Sequence, residues 1–161
     1  FDLLGLPPEA WTRWMELVAA NDRGHIRGMQ EVGATMDEIV AIRAADRAAQ
    51  GITEEQEQQA AAAVLQAESL CGGRLTIVRL PHNRTATVAD RLAPELGGPG
   101  YENLLVLSSE ELNFFGQGRL VLLLDQHFPG GWYGGSLPER GFWGYAGVVP
   151  QVTDLLIREL A

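Results

Sequence analysis

The spacing of apolar residues changes at Gly72-Gly73. Before this pair they recur at helical intervals; after it they gather into short β-branched or leucine-rich runs. Such a chain must pack a helical segment beside a sheet. The expected class is α/β, with α+β as the alternative: a helical N-terminal segment, then a small mixed sheet with flanking helices. The expected division is residues 1–70 and 71–161.

In the first part, "LPPEAWTRWMELVAAN" carries Trp11, Trp14, Met15 and Val18 on one side of a helix. "ATMDEIVAIRAADRAAQ" opens with Thr35 and Glu38 in capping-box relation, with Ile39, Ile42 and Ala45 on one face. "ITEEQEQQAAAAVLQAESL" repeats the device with Thr53 and Gln56, and its acidic first turn suits the helix dipole.

In the second part, residues 74–80 ("RLTIVRL") read as a strand and 85–96 ("TATVADRLAPEL") as a helix. Residues 103–108 ("NLLVLS") and 118–124 ("GRLVLLL") are continuous apolar runs, read as strands buried on both faces. Ser108 or Ser109 before Glu110-Glu111 reads as a short helix start. Residues 150–160 close the chain as a helix with Pro150 in its first turn. Between them, "HFPGGWYGGSLPERGFWGY" (127–145) holds six glycines and six aromatic residues. It reads as a bendable loop carrying large flat side chains.

Composition narrows the function. The formal charge of −9 disfavours general binding to duplex nucleic acid, whose affinity comes largely from cationic side chains. The cations are twelve arginines with no lysine, which removes lysine Schiff-base chemistry and a Walker lysine. No apolar run reaches membrane-spanning length. The single Cys71 excludes an internal disulfide framework and fits a reducing, cytoplasmic setting.

Three constellations can carry chemistry. His82, Asn83, Arg84 and Thr85 fill a turn between a strand and a helix, a favoured ligand position in layered α/β folds. There Arg84 offers a forked cation and His82 a donor or proton carrier. Gly130-Gly131 and Gly134-Gly135 bracket Trp132 and Tyr133, so the backbone can approach a ligand while rings stack on a base; Arg140 adds charge. Asp22 and His25 follow the first helix as candidate metal ligands. Against each stands a plain structural alternative: a capped helix, a loop plugged by its own aromatics, and a helix end closed by Gly24. Asp125 and His127, two apart, form a weaker pair, and Cys71 has no partner motif.

The order of these parts resembles the C-terminal portion of DHH-type phosphoesterases. "NDRGHI" is similar to that family's last acidic motif, "GITEEQEQQAAAAVLQA" to its linker, and the strands with "PGGWYGG" to its smaller α/β lobe. The resemblance implies that Asp22 is a metal ligand and that the glycine-rich loop binds substrate phosphate or nucleotide. The Asp-His-His triplet is absent from these residues, so two divalent metals (Mn2+ or Mg2+) are expected only with an upstream lobe or second chain. The expected function is the substrate-recognition portion of a metal-dependent phosphoesterase, a hydrolase acting on a small phosphorylated or nucleotide ligand. Two alternatives are a non-catalytic interaction module contacting its partner through the aromatic loop, and a metal-independent enzyme with His82 or His127 as base.

Overall fold

A computed structural model describes residues 12–161. Its contacts divide the chain into two units that meet at Gly51–Ile52.

In the first unit, α1 (Arg13–Glu31) is capped by Thr12 and α2 (Met36–Ala49) by Thr35, whose capping box with Glu38 forms as the sequence predicts. α1 leaves helical geometry at Gly24 and His25, where the sequence reading ends the helix. Beyond the break the chain folds back so closely that a β-carbon on Gly28 would meet the Ala20 carbonyl. Arg13 bonds Glu16, Glu38 and the carbonyls of Val32 and Gly33, tying the start of α1 to the α1–α2 turn. The buried face of α1 is Leu17, Ala20, Asn21, Gly28 and Met29, not the expected one: Trp14 and Val18 are exposed. Trp11 lies outside the described residues. On α2, Ile39 and Ile42 are buried as expected, but Arg43 is buried in place of Ala45 and bonds Asn21 and Asp46.

The second unit begins with α3 (Glu54–Leu65), again closed by its capping box. This helix belongs with the sheet, not with the helical segment extending to residue 70. Its small buried residues, Ala60 and Ala63, pack directly on Val78, Leu80, Leu104 and Val106. The sheet's strands are β1 (Glu68–Leu70), β2 (Leu75–Arg79), β3 (Leu104–Leu107), β4 (Glu111–Gln117), β5 (Trp132–Ser136) and β6 (Arg140–Ala146). Their order is β1-β2-β3-β4-β6-β5. Only β2 and β3 run parallel, joined through α4 (Ala86–Leu92); the other neighbours are antiparallel.

Two further helices, α5 (Gly118–His127) and α6 (Pro150–Leu160), cover the opposite face, packing Leu120, Val121, Leu124 and Leu156 on Ile77, Leu105, Leu112, Phe114 and Trp143. The architecture is α/β, a helical N-terminal segment followed by a mixed sheet with helices on both faces. Three local readings differ. "GRLVLLL" is the start of α5, with Leu120, Val121 and Leu124 buried and Leu122 exposed. Residues 111–117 are a central strand, and the Ser108 hydroxyl closes the turn before it, donating to the Glu111 carbonyl and accepting from the Glu110 and Glu111 N–H groups. The glycine-aromatic stretch is the β5–β6 hairpin rather than a loop.

Buried Asn103 holds the centre together. Its amide donates to the Arg74 carbonyl at 2.9 Å, and its oxygen accepts from Gln117 N–H at 3.0 Å. Gly116 is required beside it, because a β-carbon there would strike the Asn103 side-chain oxygen.

Candidate functional site

Strand register decides which sequence candidates meet. Arg79 pairs with Leu107, Leu107 with Leu112, Leu112 with Tyr145, and Gly144 with Trp132. The 80–85 turn, the Ser108–Glu110 turn, residues 147–149 and Gly130-Gly131 therefore share one end of the sheet. Arg140, paired with Gln117 and Ser136, sits at the other. The 80–85 turn and Gly130-Gly131 follow or precede strands four positions apart, about 19 Å at ~4.8 Å per interstrand spacing. They share an edge but do not form one small clamp.

The 80–85 turn is built largely by His82. Its Nδ1 accepts from Arg84 N–H at 3.1 Å, so its Nε2 carries the proton and donates to the Gln56 carbonyl at 3.0 Å. Both ring nitrogens are spent on structure, linking α3 to the turn, and a proton-transfer role would break one of these bonds. Asn83 and Arg84 are exposed; the Arg84 guanidinium has no protein partner among the described residues and is open to an anion. Thr85 precedes α4 without a side-chain cap.

The hairpin forms a different surface. Side chains alternate across a strand, so Trp132 and Gly134 share a face of the sheet with their paired residues Gly144 and Phe142. Trp132 lies over Gly144, and Phe142 lies over Gly134: each ring covers the glycine of the opposite strand. Phe115, on β4, pairs with Phe142 and extends the row. On this face α3 and α4 cover the β2–β3 side, while Trp132 remains 44% exposed. Arg140 projects from the same face of β6 two residues from Phe142. Its guanidinium stands 5.8 Å from the Tyr101 ring centroid and bonds the Glu102 carbonyl at 3.1 Å. Burial pushes the Tyr101 phenol up, and the nearby Arg140 charge acts in the opposite direction.

Tyr133 points to the other face and is exposed, beside the buried Trp143. Trp143 packs on Phe128 and stacks on Tyr145. Among the loop's aromatics, Trp143 is thus core, while Trp132 and Phe142 make a platform. Gly130 and Gly135 take positive φ at the ends of β5. Sequence reasoning missed Phe115 and Tyr101, because cross-strand pairing alone brings them to this face.

Asp22 is exposed in the first unit, just before the helix break. Among the described residues, no three His, Cys, Asp or Glu side chains come together, and one carboxylate does not make a metal centre. Asp125 and His127 lie on α5, where His127 Nδ1–H donates to the Leu123 carbonyl. Cys71 is half-buried, with its thiol 3.7 Å from the Ile157 carbonyl. Among the described residues no helix is long and apolar enough to cross a membrane.

Comparison with known family models finds no match, and neither does comparison with curated proteins.

Proposed function

We propose that the chain is the substrate-recognition portion of a metal-dependent phosphoesterase, and that it binds a small phosphate- or nucleotide-containing ligand. The observation that carries this reading is the uncovered aromatic face. Rings laid over glycines present flat surfaces for a base, and Arg140 lies on the same strand two residues from Phe142, about 7 Å along it. That spacing suits a base on Phe142 and Trp132 with its phosphate on the guanidinium. Arg84, at the far edge, is a second anion contact for a longer ligand. The lobe's contribution is orientation of the substrate. In this reading the other metal ligands come from an upstream lobe or a second chain, with Asp22 as this chain's contribution.

Calorimetric titration with AMP, adenosine and inorganic phosphate tests the reading. AMP should bind more tightly than adenosine, and Arg140→Ala should remove that difference. Absence of AMP heat and of any tryptophan fluorescence change would reject it.

A second reading rests on a specific feature: β5 is an edge strand carrying Trp132 and Tyr133, 44% and 47% exposed. Tryptophan and tyrosine are common interface anchors, and an edge strand offers unpaired backbone groups. An oligomer that dissociates on Trp132→Ala, in a protein indifferent to nucleotides, would favour this non-catalytic interaction module.

A further inference from the structure

A cavity of about 560 Å³ opens where β2 and β3 end, against the first turn of α6. It contains neither the hairpin platform nor Arg84. Its volume is within the ordinary range for a small-molecule site. Leu107, Leu112 and Val149 make much of its wall apolar, and Val148, 60% exposed, forms an apolar lip.

Two opposite charges line the same space, Arg79 and Asp154. Arg79 uses only Nε on the protein, bonding Glu68 at 3.1 Å; its two terminal nitrogens have no protein acceptor among the described residues. Asp154 is exposed and has no bond or ion pair among them. Thr153 lines the space beside Asp154. The start of α6 adds no free N–H to this space: Pro150 has none, and the Val152 N–H is bonded to the Val149 carbonyl at 3.0 Å.

An anion alone would meet Asp154, a cation alone would meet Arg79, and a purely apolar molecule would leave both unused. We propose that this cavity binds a small zwitterion with an apolar body, of the amino-acid or short-peptide class. Its carboxylate faces the Arg79 terminal nitrogens, its ammonium faces Asp154, and its aliphatic or aromatic part lies on Leu107, Leu112 and Val149.

The test is calorimetry and thermal shift on the full chain with leucine, phenylalanine and the dipeptide Leu-Leu, which vary the separation of the charges. Isoamylamine and isocaproate serve as single-charge controls. At least one zwitterion should bind, and both controls should bind at least tenfold more weakly. Asp154→Asn, at an exposed position, should weaken the zwitterion at least fivefold while leaving circular dichroism unchanged. Trp132→Ala and Arg84→Ala should leave zwitterion affinity intact, which separates this site from the proposed nucleotide site. No binding by any zwitterion at 10 mM concentration (about −2.7 kcal/mol in affinity), equal binding by the controls, or an unaffected Asp154→Asn would each overturn the proposal.

Discussion

Trp132 lies directly over Gly144 on the neighbouring strand, in the space a β-carbon would occupy. The reciprocal pair, Phe142 over Gly134, stands next to it. The glycines, which weaken a strand in isolation, here allow two rings to settle on the sheet.

Substituting Gly144 by alanine should therefore displace the Trp132 ring. The indole is half-exposed on an edge strand and has room to swing away, so the expected stability loss is about 1 kcal/mol. Gly118→Ala should cost about 3 kcal/mol, because the obstacle there is the Pro138 backbone carbonyl. Urea unfolding measures the two losses, and equal losses would contradict this account. Tryptophan fluorescence should change for Gly144→Ala.

Asn103→Leu leaves the Arg74 carbonyl and the Gln117 N–H without their buried partner. The expected loss is about 3 kcal/mol, measured as a lower urea midpoint of the second unit. A loss under about 1 kcal/mol would mean that the central strands do not depend on this side chain.

His82→Phe removes the bond that holds the 80–85 turn to α3 and the Arg84 N–H bond inside the turn. Stability should fall by about 1–2 kcal/mol, and AMP affinity should stay within twofold of the parent. A selective loss of binding at full stability would restore His82 as a ligand-contacting residue.

Acid should loosen the first unit through Glu38. The Arg13 guanidinium, and then the Thr35 N–H, hold its carboxyl at about 2, below its ordinary value of 4.5. The folded value is depressed, so the stabilisation is full above about pH 4.5 and disappears as pH falls toward 2. Glu38→Gln retains a capping-box acceptor but loses the charge. The difference in helical signal between parent and variant, followed by circular dichroism from pH 6 to 2, should shrink across that window. A difference independent of pH would refute the assignment.

Removing the platform rings separately tests the face they form. Trp132→Ala and Phe142→Ala should each weaken AMP binding by about 1–2 kcal/mol, read by calorimetry. Tyr133→Ala, on the opposite face, should leave binding unchanged.

The local devices were legible in the sequence. Thr35 with Glu38 and Thr53 with Gln56 close capping boxes within four residues, so no distant partner is needed to specify them. The strands at 75–79 and 104–107 were equally visible, since β-branched or apolar runs suit a sheet covered on both faces. The run at 118–124 was ambiguous in kind. Five apolar side chains in "GRLVLLL" fit a buried strand or a buried helix, and only contact of Leu120, Val121 and Leu124 with one sheet face made it a helix.

The candidate site was legible as residue types but not as an arrangement. The chain alone determined that glycines and flat rings would stand together between residues 127 and 145, and that Arg84 would occupy a turn. Tertiary structure decided that the glycines of one strand lie under the rings of the other, that His82 is consumed by bonds, and that Arg84 and Gly130 are separated by three strands. The physical reason is range. Caps and turns form between residues a few positions apart, whereas ring-on-glycine packing and strand order depend on pairing between segments that local propensity leaves unspecified.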